Sequence, residues 1–298
     1  MTKRFHLIGR RFITLLSALA LLIGGGVLLR MPAQRLHNDE LQAGLQQPPP
    51  PVTDRTDALT GRLFFFSLGG LRTLATEILA MDATDAWLKQ DWPRARTRWE
   101  QITTLCPHRA SYWARAARDM AKNAVAHVYS RKKLSEHERA ILVQEYLDKA
   151  EQFYLQGIAA NPNSLLLRLD LAGHYEDLAR RPQFAKAVEA YREARRRGAA
   201  EMYDRWIFYN LCRIRGREQE AWELGRRLFL HKHHQAPSLC CLLFALQHRL
   251  NIPQEQRYSI TRLFGSERRA LKQLRQFRNN TLRFPTYGVE EYLQQHRP

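Results

Sequence analysis

Residues 95–113 read A-R-T-R-W-E-Q-I-T-T-L-C-P-H-R-A-S-Y-W, and this stretch decides the fold class. Its small and apolar residues recur at spacings of four, three and three positions, at Ala95, Trp99, Ile102 and Leu105. That spacing places them on one face of an α-helix. Pro107 then ends the helix, because proline lacks the backbone N–H that another turn needs. The stretch therefore predicts one helix of a helical hairpin.

The same helical phase continues on both sides of this helix. Trp113 begins a second apolar stripe, and Leu79, 34 residues earlier, begins a third. The two stripes continue at Ala117 and Met120, and at Ala83 and Ala86. A unit of this length, with an early aromatic residue, small residues at the helix contact and a terminal proline, resembles the tetratricopeptide repeat. Residues 76–113 carry this resemblance, 146–231 repeat its rhythm of helix pairs with insertions, and beyond 232 only the rhythm remains.

The rest of the chain predicts further helices. Ser135 and Glu138 form a capping box before a helix of up to 25 residues that ends at Asn161-Pro162. The helices predicted around it cover 109–130, two segments between 163 and Gly198, then 203–215, 218–231, 239–250, 253–264 and 267–277. The predicted fold is all-α: a TPR-like α-solenoid of about five helix pairs over 63–265, with a capping helix and a tail over 266–298. In the tail, Val289 and Leu293 are expected to dock back.

The N-terminal residues predict a membrane anchor. Residues 1–11 hold four basic residues and no acid, and the 18 residues 12–29 carry no charge. A helix that crosses about 30 Å of hydrocarbon needs roughly 20 apolar residues. The alternative is a cleaved signal peptide, but its apolar core is usually shorter and ends in a small-x-small site. The flanking charges predict a single-pass inner-membrane protein with a cytoplasmic N-terminus and a periplasmic helical domain.

Residues 30–62 are expected to be a linker, because they include the polyproline run Q-Q-P-P-P-P at 46–51. The apolar segment 63–74 is predicted to begin the helical array. It is too short and too interrupted for a second span. The alternative for this segment is a surface that dips into the lipid headgroups.

The positive charge belongs to the second half of the chain. Residues 180–298 hold 24 basic and 11 acidic residues, whereas residues 54–179 hold 17 and 16. Such a surface favours an acidic protein face, lipid headgroups or a polyanionic glycan, with nucleic acid the less favoured partner. The alternative is an ordinary solvated surface. The run Arg195, Arg196 and Arg197 is the candidate glycan contact.

No catalytic or metal-binding motif emerges from the sequence, which therefore predicts a non-enzyme without a cofactor. Gly-rich phosphate loops, nucleophile elbows and H-E-x-x-H are all missing. The one cluster with metal-ligating side chains is His231, His233, His234, Cys240 and Cys241. Adjacent helical positions point about 100° apart, so the two cysteines do not easily share one ion. No metal site is predicted, and the four cysteines are expected to be buried apolar residues.

The resemblance implies a binding surface on the first helix of each pair. It places Arg118 and Lys122 one turn apart on the inner face, where a pair of cations can clamp a carboxylate. Trp87 faces the same groove from the preceding unit. The alternatives are solvent-facing charges and a core tryptophan. The sequence thus predicts a non-catalytic scaffold that binds other components of a bacterial envelope assembly, with glycan binding as the alternative function.

Overall fold

The computed structural model describes residues 55–231, 236–279 and 284–296, with side chains described from residue 72. Every regular element in these ranges is helical, which confirms the all-α class. The predicted basic flank 1–11 and anchor 12–29 lie outside the described residues. Among the helices that are described, none has the length and apolarity needed to cross a bilayer. The chain divides into two compact units, Met1–Ser164 and Leu165–Pro298, where sequence analysis predicts one array.

The first unit consists of helical hairpins. Its α-helices are α1 (Arg55–Leu88), α2 (Trp92–Leu105), α3 (Ala110–Arg118), α4 (Val125–Ser130) and α5 (Glu136–Ala160). A π-helix, Asp119–Ala124, joins α3 to α4 without a break, so that residues 110–130 form one rod, here named the central helix. Helix α2 packs against α1, and the central helix packs against α5 and α2.

The sequence patterns account for the helix ends and the core of this unit. Asp91 caps α2 by accepting a hydrogen bond from the backbone N–H of Arg94 at 3.2 Å. Helix α2 ends two residues before Pro107, as predicted. The predicted capping box at α5 is present, since Ser135 Oγ accepts from the Glu138 N–H and Glu138 Oε2 accepts from the Ser135 N–H. The large side chains with almost no exposed surface are Trp99, Ile102, Met120 and Phe153.

The second unit is a set of shorter helices around one buried helix. They are α6 (Leu165–Glu176), α7 (Phe184–Arg196), α8 (Tyr203–Leu211), α9 (Glu218–Leu230), α10 (Pro237–Arg249), α11 (Ile260–Phe264), α12 (Glu267–Arg278) and α13 (Val289–Gln295), with a 3₁₀ turn at Gln254–Gln256. Every residue of α10 from 239 to 247 is buried. Gly225 of α9 allows a close approach, because a Cβ there would lie 2.5 Å from Phe208 Cε2.

Two predicted helices of this unit differ from the structure. Helix α8 ends at Leu211 rather than at residue 215, since the N–H groups of Arg213 and Ile214 bond to carbonyls three residues back. The segment 253–264 is a 3₁₀ turn and a five-residue helix instead of one helix. The reason is tertiary: the buried Gln247 side chain accepts from the Tyr258 N–H at 3.2 Å and donates to its carbonyl at 3.4 Å. The tail docks as expected, with Val289 and Leu293 buried.

Candidate partner-binding surface

The central helix presents three cations on its exposed face. Arg115, Arg118 and Lys122 are all exposed, and their spacings of three and four positions place them along one side of the helix. We name these three residues the cation row. Sequence analysis predicts Arg118 and Lys122 for this surface, and the structure adds Arg115, one turn before Arg118.

A buried carboxylate lies directly beneath the cation row. Asp119, the first residue of the π-helix, accepts a hydrogen bond from Trp99 Nε1 at 3.0 Å and one from Asn123 Nδ2 at 2.9 Å. Burial raises the pKa of the Asp119 carboxyl, while these two hydrogen bonds and the charges of Arg115 and Arg118 act in the opposite direction. The carboxylate therefore fixes the π-helix to α2. π-Helical turns are frequent at functional sites.

The arginines of the cation row are held along the helix by local contacts. The Arg115 guanidinium lies 5.4 Å from the centre of the Trp99 ring, and Arg118 Nε donates to the Ala114 carbonyl at 3.2 Å. Around Lys122, no carboxylate of the described chain lies within ion-pair distance. The row thus exposes positive side chains on the surface of the central helix, and the charges of Arg115 and Arg118 act on the buried Asp119 carboxyl.

Trp87 lies in the last turn of α1, the helix that precedes α2. Two hydrogen bonds join residues 35 positions apart in this unit. Tyr112 OH donates to Glu77 Oε1 at 3.3 Å, and Trp92 Nε1 donates to His127 Nδ1 at 2.6 Å. The first bond joins α1 to the central helix, and the second joins α2 to it. Trp87 is 40% exposed, so its indole retains apolar surface for contact with a partner.

The arginine triplet of the second unit is engaged within its own unit. Arg195 pairs with Asp204 through two bonds, with Nε at 2.7 Å from Oδ1 and Nη2 at 3.2 Å from Oδ2. Arg196 and Arg197 both pair with Glu193, at 2.7 and 2.6 Å. Hydrogen bonds from Arg197 and Arg196 lower the pKa of the Glu193 carboxyl to about 2. These carboxylates neutralise much of the triplet's field, which weakens it as an anion site.

Sequence analysis did not predict a buried hydrogen-bond network in the second unit. Glu176 Oε1 accepts from Tyr191 OH at 2.9 Å, and Oε2 accepts from Asn210 Nδ2 at 2.7 Å. Burial raises the pKa of the Glu176 carboxyl, against the hydrogen bonds from Asn210 and Tyr191 and the charge of Arg213. The three bonded residues come from α6, α7 and α8. The carboxylate therefore ties three helices together, which is a structural role.

The residues considered for a metal do not form a site that the structure describes. His233 and His234 lie outside the described residues. Cys240 and Cys241 are buried, and burial raises the pKa of their thiols to about 11 and about 12. Across residues 72–231, 236–279 and 284–296, no three histidine, cysteine or acidic side chains are grouped as metal ligands.

Two shallow grooves occur on the second unit, with volumes of about 250 and 230 Å³. The first is lined by Arg275, Arg278, Glu290, Leu293 and Gln294. The second is lined by Cys212, Arg213, Ile214, Arg215, Glu218, Phe284, Pro285 and Tyr287. Both fall below the 300–1,000 Å³ typical of small-molecule sites. Neither groove therefore competes with the cation row as the candidate functional surface.

No protein-family model matches this chain, and no curated protein matches it either. The function is therefore inferred from the geometry of the cation row. Three exposed cations can bind carboxylates by charge-assisted hydrogen bonds, and an exposed tryptophan can pack on an apolar side chain.

Proposed function

We propose that this chain is a non-catalytic, membrane-anchored scaffold that binds an acidic segment of another bacterial envelope protein. The observation that carries the proposal is the cation row on the exposed face of the central helix, with Trp87 exposed on α1. In this proposal the partner belongs to a secretion, pilus-like or uptake assembly. The anchor 12–29 holds the chain in the inner membrane, with its helical part in the periplasm.

The helix pairs of the first unit support a TPR-like arrangement. The 35-residue offset between hydrogen-bonded positions is close to the 34-residue unit of that repeat. In such an arrangement, α1 and the central helix are the first helices of successive pairs. These are the helices whose exposed faces bind partners in the family that the sequence resembles.

The cation row favours an extended acidic peptide over a single carboxylate. An exposed ion pair contributes only about 0.2–1 kcal/mol, so one contact is too weak to hold a partner. From the first to the last cation the row spans seven positions, or about 10 Å at 1.5 Å per residue. Three carboxylates spaced along a peptide can therefore be engaged together, while Trp87 covers an apolar side chain.

Co-purification from native membranes tests this proposal. The full chain is extracted in mild detergent, and its bound proteins are identified with and without the double substitution Arg118→Glu/Lys122→Glu. The matched control is Lys132→Glu/Lys133→Glu, which makes the same change of charge at two exposed positions between α4 and α5.

We expect the wild type and the control to retain an acidic partner that the Arg118→Glu/Lys122→Glu chain loses. Partner binding should also weaken as salt rises, because exposed charges are screened within about 10 Å at 0.1 M. Recovery of no partner by the wild type, or equal loss in both variants, would contradict the proposal.

A further inference from the structure

Helix α1 carries an apolar stripe on its exposed face. The stripe, here named the α1 stripe, consists of Leu74, Ile78, Met81 and Leu88, which are 53, 58, 74 and 68% exposed. The opposite face of α1 is the one that packs in the first unit, where Ala83 and Ala86 are buried. Scattered exposed apolar residues are normal, but an aligned series on one helix marks an interaction site.

The spacing of the α1 stripe is that of a coiled-coil seam. Its members lie four, three and seven positions apart, and Asp85 occupies the position that divides the last interval into four and three. A 4-3 repeat is the spacing with which two helices pack knobs into holes along a common axis. The α1 stripe therefore fits the side of another helix better than a flat surface.

The charges beside the stripe disfavour a lipid bilayer as the occupant. Glu77, Asp82 and Asp85 flank it or interrupt it, and an apolar lipid phase would have to desolvate these carboxylates. Asp82 is paired with Arg94 and Arg98 of α2. Asp85 is paired with Lys89 of its own helix at 2.9 Å, so its charge is compensated within the chain. A protein helix is the better match, because it can place uncharged residues opposite these carboxylates.

We propose that the α1 stripe pairs with the α1 stripe of a second copy, in an antiparallel two-fold dimer. A parallel pair would place Asp85 against its own copy, at a position where like charges repel. An antiparallel pair centred between Ile78 and Met81 avoids this. In that register Ile78 lies opposite Met81 of the partner copy, and Asp85 lies level with Leu74.

The exposed area of the stripe is large enough to form the core of a dimer. The four exposed fractions correspond to about 500 Å² of side-chain surface per copy. A standard stable interface buries about 800 Å² per partner. The stripe therefore supplies more than half of the required area, and the flanking residues of α1 supply the remainder. This inference is independent of the proposed function, since the α1 stripe contains neither the cation row nor Trp87 and takes a different partner.

The mass of the full chain in detergent tests the dimer. Light scattering coupled to size exclusion is run on the wild type, on Met81→Lys, and on Ile141→Lys as the matched control. Ile141 is 54% exposed on α5, so the control introduces the same charge at another exposed apolar position, outside the stripe. Both side chains are at the surface of the single chain, so neither substitution should disturb its fold.

We expect a dimer for the wild type and for Ile141→Lys. For Met81→Lys we expect a dimer weakened on the order of 100-fold, because the substitution occurs twice in the seam. A monomeric wild type, or a Met81→Lys chain that dimerises as tightly as the wild type, would overturn the proposal. A monomer whose spin label at position 81 contacts detergent would assign the stripe to lipid and overturn it as well.

Disulfide formation tests the direction of pairing. Oxidation should rapidly link the Ile78→Cys/Met81→Cys double variant into dimers, because these positions face each other in the antiparallel register. The single variant Leu74→Cys should not form a dimer beyond the wild-type background, since the two copies of this position are about 16 Å apart along the axis. Efficient linking through position 74 would show a parallel pair and refute the proposed arrangement.

Discussion

Replacing Asp119 separates the two roles of the carboxylate beneath the cation row. Asp119→Ala removes the acceptor of the Trp99 N–H, whereas Asp119→Asn keeps an oxygen at the same place without the charge. Trp99 is almost fully buried, so in the alanine variant its indole N–H has neither the carboxylate nor water as a partner. The two variants therefore differ mainly in whether a buried donor is satisfied.

An unsatisfied buried donor destabilises a protein by about 1–3 kcal/mol. We expect Asp119→Ala to be less stable than Asp119→Asn by about 2 kcal/mol. For a unit of this size, that corresponds to a difference of about 4–8 °C in the midpoint of thermal unfolding. In a Trp99→Phe background, the indole N–H that loses its acceptor is absent. The difference in stability between the two Asp119 variants should therefore shrink by most of this amount.

The pH dependence of stability tests the raised pKa of Asp119 independently. Burial raises the pKa of the folded Asp119 above its unfolded value of about 3.9. A raised carboxyl pKa means that the folded state holds the proton more tightly, so its contribution to stability is present at low pH and is lost as pH rises through the folded pKa. Between the unfolded and the folded pKa of Asp119, the stability of the wild type relative to Asp119→Asn should therefore fall as pH rises. Above the folded pKa this difference should level off.

Thermal unfolding of the full chain in detergent, followed by circular dichroism between pH 4 and 8, measures both effects. Equal midpoints for Asp119→Ala and Asp119→Asn at pH 7 would refute the role of the Trp99 bond. A wild type that gains stability over Asp119→Asn as pH rises would refute the raised pKa.

Two further predictions concern packing in the second unit. Gly225→Ala should destabilise the chain by about 1–3 kcal/mol, because the added Cβ would lie 2.5 Å from Phe208. Gly173→Ala should stabilise the chain by about 0.5–1 kcal/mol, because Gly173 lies within α6 and nothing is within 4 Å of the added Cβ. Denaturant unfolding compares the two variants, and equal shifts would contradict the packing of α9. Three cysteines of this unit are buried, and burial raises the pKa of their thiols: Cys212, Cys240 and Cys241. A thiol reagent at pH 8 should therefore modify them only on unfolding.

Sequence reasoning succeeded where local chemistry decides the structure. The stripe around Trp99, the stop at Pro107 and the capping box at Ser135 depend on residues within one or two turns, and each appears as predicted. Helix ends that depend on distant partners were missed. The buried Gln247 side chain holds the backbone of Tyr258, and no local pattern in 253–264 signals this contact.

The candidate surface was predictable in part. Helical periodicity identifies Arg118 and Lys122, and the same reasoning extended by three positions would have found Arg115. The π-helix and the buried Asp119 were not predictable, because the extra residue in the turn is stabilised by Trp99 of another helix. The division into two units likewise follows from long-range packing, which the rhythm of helix pairs does not encode.

Site-specific photocrosslinking in native membranes tests the central claim most directly. A photoreactive amino acid is placed at position 122, within the cation row, and at position 133 as the exposed control, and the adducts are identified by mass spectrometry. The account predicts an adduct from position 122 to an acidic segment of another envelope protein, and no such adduct from position 133. Lack of a protein adduct at position 122, or the same adducts from both positions, would contradict it.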